Sequence, residues 1–178
     1  NVIALCLLAV MSPGVCHATR ERFVTPLIHI RKLSRAELAG VSVEKAVWKR
    51  PLSVAGFVKN GANGYPTQQT QLRAAYDNTN LYFAFRCFEQ HMDKLSTQYN
   101  TADSFNWRDD SISMVLSPGR DPGNYVHLCS NTAGGRFDER STSSGESSGV
   151  KWNGKWTIKI AKKAAEWTAF VTVPFSDL

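Results

Sequence analysis

Polar and apolar positions along this chain alternate in short runs rather than in helical stripes. Gln69 to Tyr76 and Leu81 to Phe88 are two β-rich runs separated by the turn-forming Asp77-Asn78-Thr79-Asn80, which predicts a β-hairpin. In the second run Leu81, Phe83, Phe85 and Cys87 fall on one face. Tyr82, Ala84, Arg86 and Phe88 fall on the other, the period of two that a strand imposes. Lys155 to Ala161 and Trp167 to Phe175 repeat this pattern at hairpin spacing. Tyr125 to Asn131 predicts a further strand that breaks at Ala133-Gly134-Gly135 and resumes over Arg136 to Arg140. In the segment from Ser111 to Ser117, Ile112, Val115 and Leu116 keep no strict phase. That segment therefore reads as a strand near the middle of a sheet, apolar on both faces.

The remaining stretches are short or irregular. Phe23 to Ile30, within Glu21 to Leu33, predicts an extended lead-in strand, and Pro51 to Val58 another short strand. Ser34-Arg35-Ala36-Glu37 has capping-box form and heads a short helix toward Trp48, interrupted by Gly40. Asn60 to Pro66 and Arg120 to Asn124 are dense in turn formers, and Ser141 to Gly149 is a low-complexity loop. His91 to Thr97 predicts one helical turn, followed by polar loop or edge strand to Asn106. Short strands, frequent Gly/Pro/Asn turns and no long helical period place the chain in the all-β class, as an Ig-like or jelly-roll-type antiparallel β-sandwich.

Composition changes this picture at the N-terminus. Val2 to Val10 is almost wholly apolar and is followed by Ser12-Pro13-Gly14 and Cys16-His17-Ala18, the back half of a secretory signal peptide. Residues 1–18 are read as that signal, cleaved after Ala18. Residues 19–178 then form one extracytoplasmic domain, part of a longer reading frame. The apolar run is too short to cross a bilayer as a helix. Cys87 and Cys129 are the two cysteines of the mature part; they read either as a disulfide or as two buried thiols, and no ligand spacing suggests zinc. The net charge is +6, but Lys151, Lys155, Lys159, Lys162 and Lys163 are spread along predicted strands. Solvated faces and guarded sheet edges account for them, and nucleic acid is not an expected partner.

Several segments in order resemble the family 9 carbohydrate-binding modules: Gln71 to Asp77, Asn80 to Cys87, Trp107 to Pro118, Tyr125 to Leu128, Asn131 to Gly134, and Trp167 to Leu178. The resemblance covers most of Val41 to Leu178. It implies an Ig-like β-sandwich that holds mono- or oligosaccharides, or polysaccharide ends, between aromatic side chains. It also implies a place beside a secreted glycoside hydrolase or another surface protein, with structural calcium in several members. This sequence has Ser111 and Ser113 in a stretch where the family often has a carboxylate. The family fold continues past Pro174 to Leu178, so the resemblance implies a module incomplete at its C-terminus.

Trp107, Asp109 and Asp110 carry the candidate chemistry, standing where loop enters sheet. An aromatic plane packs on the C–H face of a pyranose, and carboxylates or amides meet its hydroxyls. The expected sugar-binding set is Trp107, Asp110, Asn131 and Arg136, the last two as donors from strands beside the Trp107 segment. The alternatives are a core-edge tryptophan, and aspartates that cap a turn or hold calcium. A glycosidase pair at Asp109 and Asp110 is a disfavoured alternative, because neighbouring strand residues point to opposite faces whereas the mechanism needs both groups flanking one bond. Trp48, Trp152, Trp156 and Trp167 read as core. Two other classes stay open. One is a structural domain that docks a catalytic or β-barrel partner. The other is a haem-binding relative of the same fold using Met92, Met114, His91 or His127 as ligands.

Overall fold

A computed structural model of the chain describes residues 28–59, 64–119, 123–142 and 151–178. The signal segment, most of the lead-in strand, most of the Asn60–Pro66 loop, the start of the Arg120 turn and most of the Ser141–Gly149 loop lie outside these residues. Among these residues seven strands form two antiparallel sheets. The first contains β1 (Thr70–Tyr76), β2 (Asn80–Phe88), β6 (Thr157–Lys163) and β7 (Glu166–Pro174), in the order β1-β2-β7-β6. The second contains β3 (Ser111–Leu116), β4 (Tyr125–Asn131) and β5 (Arg136–Ser141), in the order β3-β4-β5.

The hairpin β1–β2 turns on Asp77, whose Oδ1 accepts the N–H groups of Thr79 and Asn80 at 2.8 Å each. Alternation along β2 then separates two cores. Leu81, Phe83, Phe85 and Cys87 join Trp167, Ala169, Val171 and Val173 of β7 and face Ile112, Met114, Leu116, Val126 and Leu128 of the second sheet. Tyr82, Ala84 and Phe170 lie on the other face, under α1 (Arg35–Leu38), which contributes Leu38, and α2 (Val43–Trp48), which contributes Ala46, Val47 and Trp48. The first sheet is thus covered on both sides. The capping box forms, with Ser34 Oγ accepting from Glu37 N and Glu37 Oε2 accepting from Ser34 N. Gly40 sits at φ +69, a left-handed conformation that stops α1 before α2 begins.

Two expectations are corrected, and of the two readings of the cysteines the buried thiols are the ones observed. Residues 28–33 and 51–58 are not strands; each meets β1 through a single bridge, Lys32 with Tyr76 and Val54 with Leu72. The segment from Ser111 is not a central strand with two apolar faces. Among the described residues it lies at the edge of its sheet. It alternates strictly, with Ile112, Met114 and Leu116 buried and Ser111, Ser113 and Val115 turned outward. Val115 mimicked a broken phase because an apolar residue stands on the outer face. Cys87 and Cys129 are free and buried, and they lie in different sheets. Burial pushes both thiols up to about 11.

Candidate functional site

Among the described residues no α-helix lies over the outer face of the β3-β4-β5 sheet. Its cover is the segment from Leu95 to Asp110, pinned by side chains that look acidic and exposed in the sequence. Asp109 Oδ1 accepts from Ser96 Oγ at 2.7 Å and Gln98 N at 3.0 Å, while Oδ2 accepts from Tyr99 N at 2.8 Å and Asn131 Nδ2 at 2.9 Å. Asp110 Oδ2 accepts from Ser96 N at 2.7 Å. Asn131, on β4 opposite Ser111, is fully buried; its Nδ2 also donates to Tyr99 O, and its Oδ1 accepts from Ala133 N and Gly135 N. Asn106 is equally buried and donates to Tyr99 O at 2.6 Å.

Partial desolvation pushes the Asp109 carboxyl upward, but the bonds from Ser96, Tyr99, Asn131 and Gln98 outweigh it and hold its pKa down to about 2. Four donors occupy the directions that a cation would need. Asp109 therefore does not fit the calcium role, and no group of three or more His, Cys, Asp or Glu suited to a metal occurs among the described residues.

This polar knot raises an aromatic strip. The one-turn 3-10 segment Asn106–Arg108 sets Trp107 edge-on to Phe137 of β5, ring centres 4.7 Å apart, with Phe105 packed edge-on to Trp107 at 5.3 Å and Tyr99 to Phe105 at 6.0 Å. Phe137 is buried beneath, while Trp107 remains 43% exposed and Phe105 51%. Across Phe137 the strip continues to His127 of β4, at 5.4 Å. His127 Nε2 lies 2.6 Å from Ser113 Oγ of β3, and its Nδ1 lies 3.6 Å from Glu139 Oε1 of β5. Burial lowers the His127 pKa, against the opposing pull of the Glu139 carboxylate.

Of the four expected sugar contacts, only Trp107 reaches the surface as a platform. Asp110 and Asn131 are brought next to it, but they hold the loop. Arg136 is on the wrong face: it pairs across the sheet with Ser130, and both point inward. Its guanidinium lies 4.4 Å from the Trp156 ring and donates to Gly154 O and Asp138. Asp138 in turn accepts from Trp156 Nε1 at 2.7 Å, so Trp156 is core, as is Trp167. Met114 and His127 face opposite sides of the sheet and cannot ligate one iron. Sequence reasoning missed Phe105, Phe137, Ser113 and Glu139. Outward parity along β3 and β5 would have found the last three once the register was known.

No protein-family model matches the chain, and no curated protein matches it. Among solved structures it is similar to a "putative carbohydrate-binding protein" from Bacteroides uniformis ATCC 8492, at 13% identity and TM-score 0.58 over 83% of this chain and 72% of that one. At that identity the likeness concerns the fold alone. Among the described residues no helix is long and apolar enough to cross a membrane.

Proposed function

We propose that this domain is a non-catalytic carbohydrate-binding module that takes a mono- or oligosaccharide, or a glycan end, on the outer face of the β3-β4-β5 sheet. The observation that carries the reading is Trp107: a large ring left 43% exposed, seated edge-on against the buried Phe137 and fixed by a loop. An exposed aromatic held this firmly loses little conformational entropy when a sugar's C–H face settles on it. The carbohydrate binding attributed to the similar Bacteroides protein supports the same reading, as does the resemblance to family 9 modules. We also propose export through the segment 1–18, and service in polysaccharide breakdown or uptake beside a larger catalytic or barrel partner.

Calorimetry against a panel of neutral sugars, with circular dichroism as the folding control, tests the proposal. Losing an aromatic anchor costs on the order of 2 kcal/mol, roughly thirtyfold in affinity. Trp107→Ala should therefore remain folded and lose detectable binding. A wild type that binds nothing in the panel would move the assignment to a structural docking domain.

A further inference from the structure

The polar side of the Trp107 platform is a continuous row across three strands: Ser113 on β3, His127 on β4 and Glu139 on β5. All three point outward, on the face that carries Trp107 and Phe137. Glu139 stands two residues beyond Phe137 on the same strand, a step of roughly 6.6 Å, which one sugar ring can bridge. The tautomer of His127 sets the hydrogen-bonding polarity of the row. With His127 neutral and its Nδ1–H directed at Glu139, Nε2 accepts the Ser113 hydroxyl proton. The Ser113 lone pairs and the second oxygen of Glu139 then remain as outward acceptors. The titratable group that faces His127 is Glu139 from β5; Ser113 and Val115 of β3 and Phe137 of β5 supply its other neighbours.

We propose that Ser113, His127 and Glu139 form the specificity-determining edge of the site, selecting an uncharged sugar whose hydroxyls donate to this row and rejecting acidic sugars. The inference rests on the carbohydrate-binding reading and names the ligand class for that same site. The overall charge of +6 taken alone favours the opposite, an anionic glycan. Placement decides against it. Lys159 and Lys163 project from the helix-covered face of the other sheet, where they meet Glu44 and Glu166. The Trp107 face presents the Glu139 carboxylate at the row, while its Arg108 lies over the Phe105 ring, 5.0 Å from the centre; a uronate carboxyl set against Glu139 therefore meets like charge.

The test compares wild type, Glu139→Gln and Ser113→Ala by calorimetry at pH 7.5, against neutral gluco-, galacto-, manno- and xylo-oligosaccharides and against glucuronate and galacturonate. The pH here is a setting of about one unit above the ordinary histidine value. The wild type should bind at least one neutral sugar and no uronate. Glu139→Gln should weaken the neutral sugar about tenfold, the loss of a charge-assisted bond, and narrow the gap to the uronate. Ser113→Ala should weaken it severalfold. A purely structural role for Glu139 would leave the neutral-to-acidic ratio unchanged. If Trp107→Ala abolishes binding while both other variants bind and discriminate as wild type, this inference is wrong and the module reading stands. Preference of the wild type for uronates also overturns it. A wild type that binds no sugar overturns both.

Discussion

Asn131 does more for the site than any residue that could touch a ligand. One buried amide joins Tyr99, Asp109, Ala133 and Gly135, and so ties β4, the β4–β5 turn and the loop beneath Trp107 into one piece. Asn131→Ala leaves the buried Gly135 N–H without its partner, at about 1–3 kcal/mol, and removes one donor each from Asp109 and from Tyr99 O, which keeps Asn106. The expected outcome is a thermal midpoint lowered by several degrees, with binding weakened as Trp107 loses its support, measured by calorimetric unfolding and sugar titration on the same sample. Titration supplies a second test. The Asp109 pKa is lowered to about 2 from its ordinary 3.8, so its contribution to stability is complete above the higher value and is lost as pH falls toward the lower. His127, also lowered, favours the folded state when neutral, and this contribution fades as pH falls below its ordinary 6.5. Unfolding free energy should fall in two acid steps. Asp109→Asn should flatten the lower one, and His127→Gln the upper.

At the scale of elements, the β4–β5 turn is as tightly fitted as a core. A methyl group at Gly135 would stand 2.6 Å from Asn106 Nδ2 and 2.8 Å from Tyr99 O, one of them backbone. Gly135→Ala should therefore push the Tyr99 segment off the sheet and destabilise by about 1–3 kcal/mol. A matched midpoint for variant and wild type would contradict this. The elements themselves were largely legible in the sequence. Alternation in Leu81 to Phe88 and the Asp77 turn specify the β1–β2 hairpin, and Tyr125 to Asn131 is observed with the boundaries read from its pattern. Of the candidate residues, only Trp107 was legible as an exposed aromatic at a strand entry. Asp109, Asp110 and Asn131 carry the residue types of a sugar site, but long-range bonds to Ser96 and Tyr99 consume them, and no local pattern reports such bonds. Arg136 was misplaced for a simpler reason. It is one residue from Phe137, and in a strand one residue changes the face.

For the whole molecule, the two sheets divide the work. The β1-β2-β7-β6 sheet is packed on both sides, between the sandwich core and the helices, and serves as the rigid body. Trp167, 5% exposed in that core, should cost about 3–5 kcal/mol when cut to alanine and take folding and binding down together, unlike Trp107→Ala. The β3-β4-β5 sheet has one face in the core and leaves the other to an aromatic strip beside a polar row. The central claim is therefore one of location: sugar binds on that outer face, over Trp107. The most direct measurement is an NMR titration of the isotopically labelled protein with the neutral oligosaccharide that binds best. The account predicts the largest shifts at the Trp107 indole N–H and at Ser113, His127 and Glu139, with little change on α1, α2 or β6. Shifts concentrated on the helices or β6, with the Trp107 indole unmoved, would contradict it.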